Sequence, residues 1–115
     1  MTEYRRAKRR KANDAIEIID TMTETVIGHL SNLSETGMLL ILTQRLTSDA
    51  LYQFHFRLPG SVGEWQAVEI GAHELWADEV PAGGQVWSGF RFIDVSVQDA
   101  ARIRDWVESP GSQYV

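Results

Sequence analysis

Cysteine is absent from this 115-residue chain, and proline occurs only three times. Without thiols there is no disulfide framework and no thiolate metal site, so the apolar core alone must hold the fold. Long hydrophobic runs are missing too. The longest, Met38 to Leu42, falls far short of the roughly 20 residues that span a bilayer, and no signal-peptide core follows the basic N-terminus. The expected compartment is the cytoplasm, with no membrane insertion. Catalytic signatures are equally scarce: His29, His55 and His73 are dispersed, none in an H-x-x-x-H spacing, and no G-x-S-x-G or Walker sequence occurs. Neither an enzyme nor a metal or cofactor is expected. What is present is 43% hydrophobic residues, including four Trp, four Phe and three Tyr, which suits one compact domain.

Charge is unevenly placed. The formal net charge is −5, yet six of the eleven cations, Arg5, Arg6, Lys8, Arg9, Arg10 and Lys11, fall within seven residues. Beyond residue 11 there are five cations against fifteen acids. So acidic a body excludes a general nucleic-acid coat, whereas a short basic arm suits a few phosphates. Met1 to Lys11 lacks apolar periodicity and is expected to be mobile until a ligand orders it. Arg6 and Arg10, or in the other register Arg5 and Arg9, stand four apart. A turn of chain there aims two guanidinium forks at one phosphate or guanine edge; a merely solvated tail is the alternative.

From Ala15 onward the chain reads as strands. Ile16 and Ile18 flank Glu17, Val26-Ile27 opens a run ending near Leu30, and Thr23-Glu24 suits the turn between them. Met38 to Leu42 reads as a buried strand. Tyr52, Phe54, Phe56 and Leu58 alternate with Gln53, His55 and Arg57 until Pro59-Gly60, the period of a half-buried strand. Trp65 to Glu74 and Val86 to Phe92 are further strands. Only Ser96 to Glu108 reads as a helix: Ser96 with Asp99 is an N-cap pattern, Val97, Ala100, Ile103 and Val107 form the apolar stripe beside Trp106, and Ser109-Pro110-Gly111 stops it. The expected fold is mainly β, a six-stranded antiparallel barrel covered by one C-terminal α-helix and preceded by a flexible basic N-terminal arm. Residues 1–14 form the arm, 15–110 the barrel and helix, and 111–115 a tail.

Between two strands lies Asn32-Leu33-Ser34-Glu35-Thr36-Gly37. Asn and Ser two apart on an extended segment point to one side and offer an amide and a hydroxyl to one ligand. Gly37 permits a positive φ or the close approach of a flat ligand. A polar β-turn with a side-chain cap is the bland reading.

An R-x-x-x-R followed after about twenty residues of strand by [D/N]-x-S-x-x-G resembles the PilZ domain, a bacterial receptor for the second messenger cyclic di-GMP. Leu75-Trp76-Ala77, then Gly89-Phe90-Arg91-Phe92-Ile93-Asp94 and the final helix, extend the resemblance over nearly the whole chain. It implies a stand-alone cyclic di-GMP receptor that changes conformation on nucleotide binding and regulates an effector protein in motility, biofilm or signalling. By resemblance, Arg6 and Arg10 bind phosphate and guanine, with Arg5 and Arg9 as the second register. Asn32, Ser34 and Gly37 form the wall that holds a guanine. Trp76 is similar to an aromatic near the site in some members, and a barrel-core Trp is the other reading. Family members occur as monomers or homodimers. A PilZ-like protein adaptor with weak or no nucleotide binding is the main rival. A barrel binding single-stranded RNA is another, but only Tyr4 accompanies the basic cluster where interleaved aromatics would be wanted.

Overall fold

The computed structural model describes residues 7–80 and 83–115. Its strands are β1 (Arg10–Lys11), β2 (Glu17–Asp20), β3 (Thr25–Leu33), β4 (Gly37–Leu42), β5 (Leu51–Pro59), β6 (Trp65–Glu79) and β7 (Val86–Val95), and helix α1 (Val97–Glu108) follows. Neighbours run in the order β1-β3-β2-β5-β6-β7-β4, and β4 returns to β3. The result is a closed six-stranded antiparallel barrel with β1 as an extra strand. Closure removes the free strand edges that an open sheet would expose.

The period-two pattern explains the interior. On β5, Phe54, Phe56 and Leu58 are buried while Gln53 and Arg57 are exposed. Phe54 packs against Phe90 edge to face at 5.2 Å and stacks on Tyr52 at 5.5 Å. Ile16, Ile18, Leu30, Leu33, Met38, Leu40, Leu42, Val68 and Ile70 complete the barrel core. Strand β6 runs to Glu79, five residues beyond the end expected at Glu74.

Helix α1 starts as the cap residues require, with the Ser96 hydroxyl accepting from the Asp99 amide at 3.0 Å. It closes one end of the barrel through Ile103, Trp106 and Val107. Val97, assigned to the apolar stripe, is instead 89% exposed. Arg102 fastens the helix to β6 by donating to the Ala67 carbonyl at 2.9 Å, and Asp99 adds a second tie by accepting from the Glu69 amide at 3.1 Å.

Part of the segment expected as a flexible basic arm is paired where it is described. Arg10 and Lys11 pair with Leu33 and Asn32 of β3. The 111–115 tail lies on the other side of β1: Lys11 N–H donates to the Gln113 carbonyl, Val115 N–H donates to the Arg9 carbonyl, and Arg10 bridges to Tyr114. Backbone hydrogen-bond demand, which acts regardless of side-chain polarity, recruits this segment to the edge of β3. Residues 1–6, with Arg5 and Arg6, lie outside the described residues.

Candidate functional site

Adjacent residues of an extended segment point to opposite sides, and Arg9 and Arg10 separate accordingly. The Arg10 guanidinium lies 4.3 Å from the centre of the Trp106 ring and donates to the Trp106 carbonyl at 2.5 Å and to Ser109 Oγ at 2.6 Å. A cation at the carbonyl end of a helix is favourably placed. Arg10 therefore ties β1 to α1 and is turned away from the pocket side. Arg9 turns the other way, and its Nη1 donates to Asn32 Oδ1 at 3.0 Å.

Arg9 and Asn32 line a surface pocket of about 270 Å³ together with Met38, Leu39, Leu75, Trp76, Gly89 and Phe90. Among the described residues, Arg9 is the sole charged member of that lining. Burial lowers its pKa from the ordinary guanidinium value, but arginine stays protonated at neutral pH. Among the described residues no carboxylate forms an ion pair with it. A half-buried cation beside an amide and apolar side chains is suited to an anion that also carries a flat apolar group.

A larger depression, about 730 Å³, lies between α1 and the β5–β6 turn. Its cations, Arg10 and Arg102, already bond to Trp106 and Ala67 carbonyls, and Asp14, Asp105 and Glu108 share the lining. Acids outnumber cations there, which disfavours phosphate.

Asn32 and Ser34 do not face one open surface together. Ser34 is fully buried, its hydroxyl accepting from the Thr36 and Gly37 amides at 3.2 Å and donating back to the Gly37 carbonyl. The hydroxyl shapes the turn that joins β3 to β4. Gly37 has no positive φ among the residues that do; its need is space, since a Cβ would run into the Phe90 carbonyl of β7. These two motif residues hold the β3–β4–β7 backbones together behind the pocket. The rest of the predicted set divides plainly: Arg9, Asn32 and Trp76 meet at the pocket, and Arg10 does not.

Trp76 is not a core residue. It is 46% exposed, and its indole lies over Gly89. Leu39, Leu75 and Gly89 were not expected at the site, although Leu75 and Gly89 stand in segments that carry the resemblance. Gly89 carried a signal, a glycine inside an alternating strand, which marks a close approach; Leu39 and Leu75 carried none. Among the described residues no group of three or more His, Asp or Glu is placed to hold a metal, and no helix is long and apolar enough to cross a membrane.

The family model for the PilZ domain matches residues 3–109. No curated protein matches the sequence. Solved structures do resemble it, among them that of the Bacillus subtilis inhibitor of motility (MotI/DgrA), at a TM-score of 0.71 and 15% identity. That likeness covers 89% of this chain and 48% of the other, so the chain spans about half the length of its structural neighbour. At that identity the likeness speaks for the fold.

Proposed function

Because the chain belongs to the PilZ domain family, we propose that it is a receptor for cyclic di-GMP, which it binds at the Arg9–Asn32 pocket to regulate a partner protein. The observation that carries this reading is the 3.0 Å bond from Arg9 to Asn32. It joins two motifs twenty-three residues apart in sequence at one pocket of suitable charge. Arg9 replaces Arg10 as the second arginine of the motif, which makes Arg5 its partner.

A cyclic dinucleotide carries two negative charges and two purines. Arg9 meets a phosphate with its guanidinium, the Asn32 amide, itself buried behind Arg9, has donors to offer a guanine edge, and Trp76 offers a ring for stacking. A neutral Asn lacks the charge-assisted bond a carboxylate makes to guanine N–H groups, so moderate affinity fits this wall. Nothing in this chemistry asks for bond making or breaking, and the protein acts by binding.

Calorimetric titration of the full chain with cyclic di-GMP, and separately with a single-stranded RNA oligonucleotide, tests the reading. Saturable heat with the dinucleotide and none with the oligonucleotide is expected. Silence with the dinucleotide favours the adaptor function instead.

A further inference from the structure

Between Glu74 and Trp76, strand β6 carries one residue too many against β7. Glu74 faces Phe90 and Trp76 faces Gly89, so Leu75 is the extra residue of a bulge. A bulge breaks the alternation of faces, and Leu75 and Trp76 are consequently both exposed, at 54% and 46%. Without it Trp76 would point into the barrel.

Beneath the bulge lies an arrangement the function described above does not use. Ser88 is fully buried and Glu74 is 3% exposed. The Ser88 hydroxyl donates to Glu74 Oε2 at 2.6 Å and reaches the Trp76 carbonyl at 3.2 Å. These acceptors flank Leu75, so one hydroxyl joins the residue before the bulge to the backbone after it. A carboxyl inside an apolar barrel is costly unless bonded, and here its bond is spent on the bulge. Above, the indole occupies the space a side chain at position 89 would need: a Cβ on Gly89 would lie 2.5 Å from Trp76 Nε1 and 2.6 Å from Cε2.

We infer that Glu74, Ser88 and Gly89 are positioning residues for a base-stacking surface. The Glu74–Ser88 clamp holds the bulge that turns Trp76 outward, and Gly89 seats the indole beside Arg9 and Asn32, where its open side takes one guanine. The ligand part rests on the cyclic di-GMP reading; the placement of the indole does not.

The test uses the full chain and two readouts. In the ligand-free protein the Gly89 α-protons feel the indole ring current, and Trp76→Leu abolishes that shift. The shift should be lost in Ser88→Ala and Glu74→Leu but kept in Glu74→Gln, which retains an acceptor for the hydroxyl. Gly89→Ala should displace the indole, read from the Trp76 Nε1–H signal, and leave the barrel intact, because the new Cβ meets an exposed side chain and no backbone. It also keeps the test decisive should Ser88→Ala fail to fold. In calorimetry with cyclic di-GMP, Gly89→Ala and Ser88→Ala should each weaken binding roughly tenfold, the scale of one lost base stack, with Glu74→Gln near wild type. A Gly89 shift unchanged in Ser88→Ala, or undiminished affinity in Gly89→Ala, overturns the inference. Should the ring-current pattern follow this scheme while the wild type binds no cyclic di-GMP, the positioning stands and the ligand reading fails.

Discussion

Two adjacent arginines divide two tasks. Arg9 faces Asn32 across the pocket, while Arg10 stacks on Trp106 and bonds the end of α1. Arg9→Ala should therefore abolish cyclic di-GMP binding and leave stability within about 0.5 kcal/mol. Arg10→Ala should cost about 1 to 2 kcal/mol through the lost cation–π contact and charged hydrogen bonds, as read by denaturant unfolding. The R-x-x-x-R spacing was legible in the sequence, but the register was not, since both pairs satisfy it. Which side each arginine takes follows from the pairing of β1, a backbone event that leaves no mark on residue type. Ser34 shows the same limit: its spacing to Asn32 was visible, its turn bonds were not. Ser34→Ala should thus lower stability by about 1 kcal/mol, a typical lost hydrogen bond. At high pH the sensitive residue is Tyr52. Burial raises its pKa above the ordinary phenol value, Glu74 and Asp20 add to the rise, and hydrogen bonding with Thr47 partly offsets it. A raised folded-state pKa contributes stability that is complete below the unfolded value, about 10, and is lost as pH climbs through the folded one. Stability measured across pH 9 to 12 should fall less steeply in Tyr52→Phe.

At the scale of elements, the alternation of β5 and the Ser96 cap were readable because each depends on local sequence. Trp76 was not, because the bulge between Glu74 and Trp76 resets the alternation and bulges carry little local signature. Gly37, which faces β7 from β4, and Gly89, which lies within β7, differ in what a side chain would meet. Gly37→Ala drives a Cβ into the Phe90 carbonyl, whereas Gly89→Ala meets an exposed ring. Thermal melting should show the larger loss for Gly37→Ala, because backbone must move. Strand β1 was missed since two residues hold no period; it forms between β3 and the C-terminal segment. The Tyr114 hydroxyl donates to the Val107 carbonyl at 2.7 Å, and Val115 N–H to Arg9. Deleting residues 112–115 should accordingly speed exchange of the Lys11 amide and weaken cyclic di-GMP binding, although none of the deleted residues lines the pocket.

For the molecule as a whole, a basic N-terminal cluster precedes an otherwise acidic chain, five cations against fifteen acids beyond residue 11. Barrel, helix and family were legible because composition, periodicity and motif spacing agree along the whole chain. The location of the pocket was not, because it is assembled from β3, β4, β6, β7 and the segment before β1. Binding of a ligand with two phosphates should weaken with salt, but less steeply than for a protein that tracks a nucleic-acid backbone. In the proposed mechanism Arg9, paired to Asn32, makes this pocket a cyclic di-GMP site. The most direct test is calorimetric titration of cyclic di-GMP into the wild type, Arg9→Ala and Arg10→Ala side by side, each first shown to be folded. Binding should be saturable in the wild type, absent in Arg9→Ala and retained in Arg10→Ala. Equal affinity in the wild type and Arg9→Ala, or no heat from the wild type, would contradict the account.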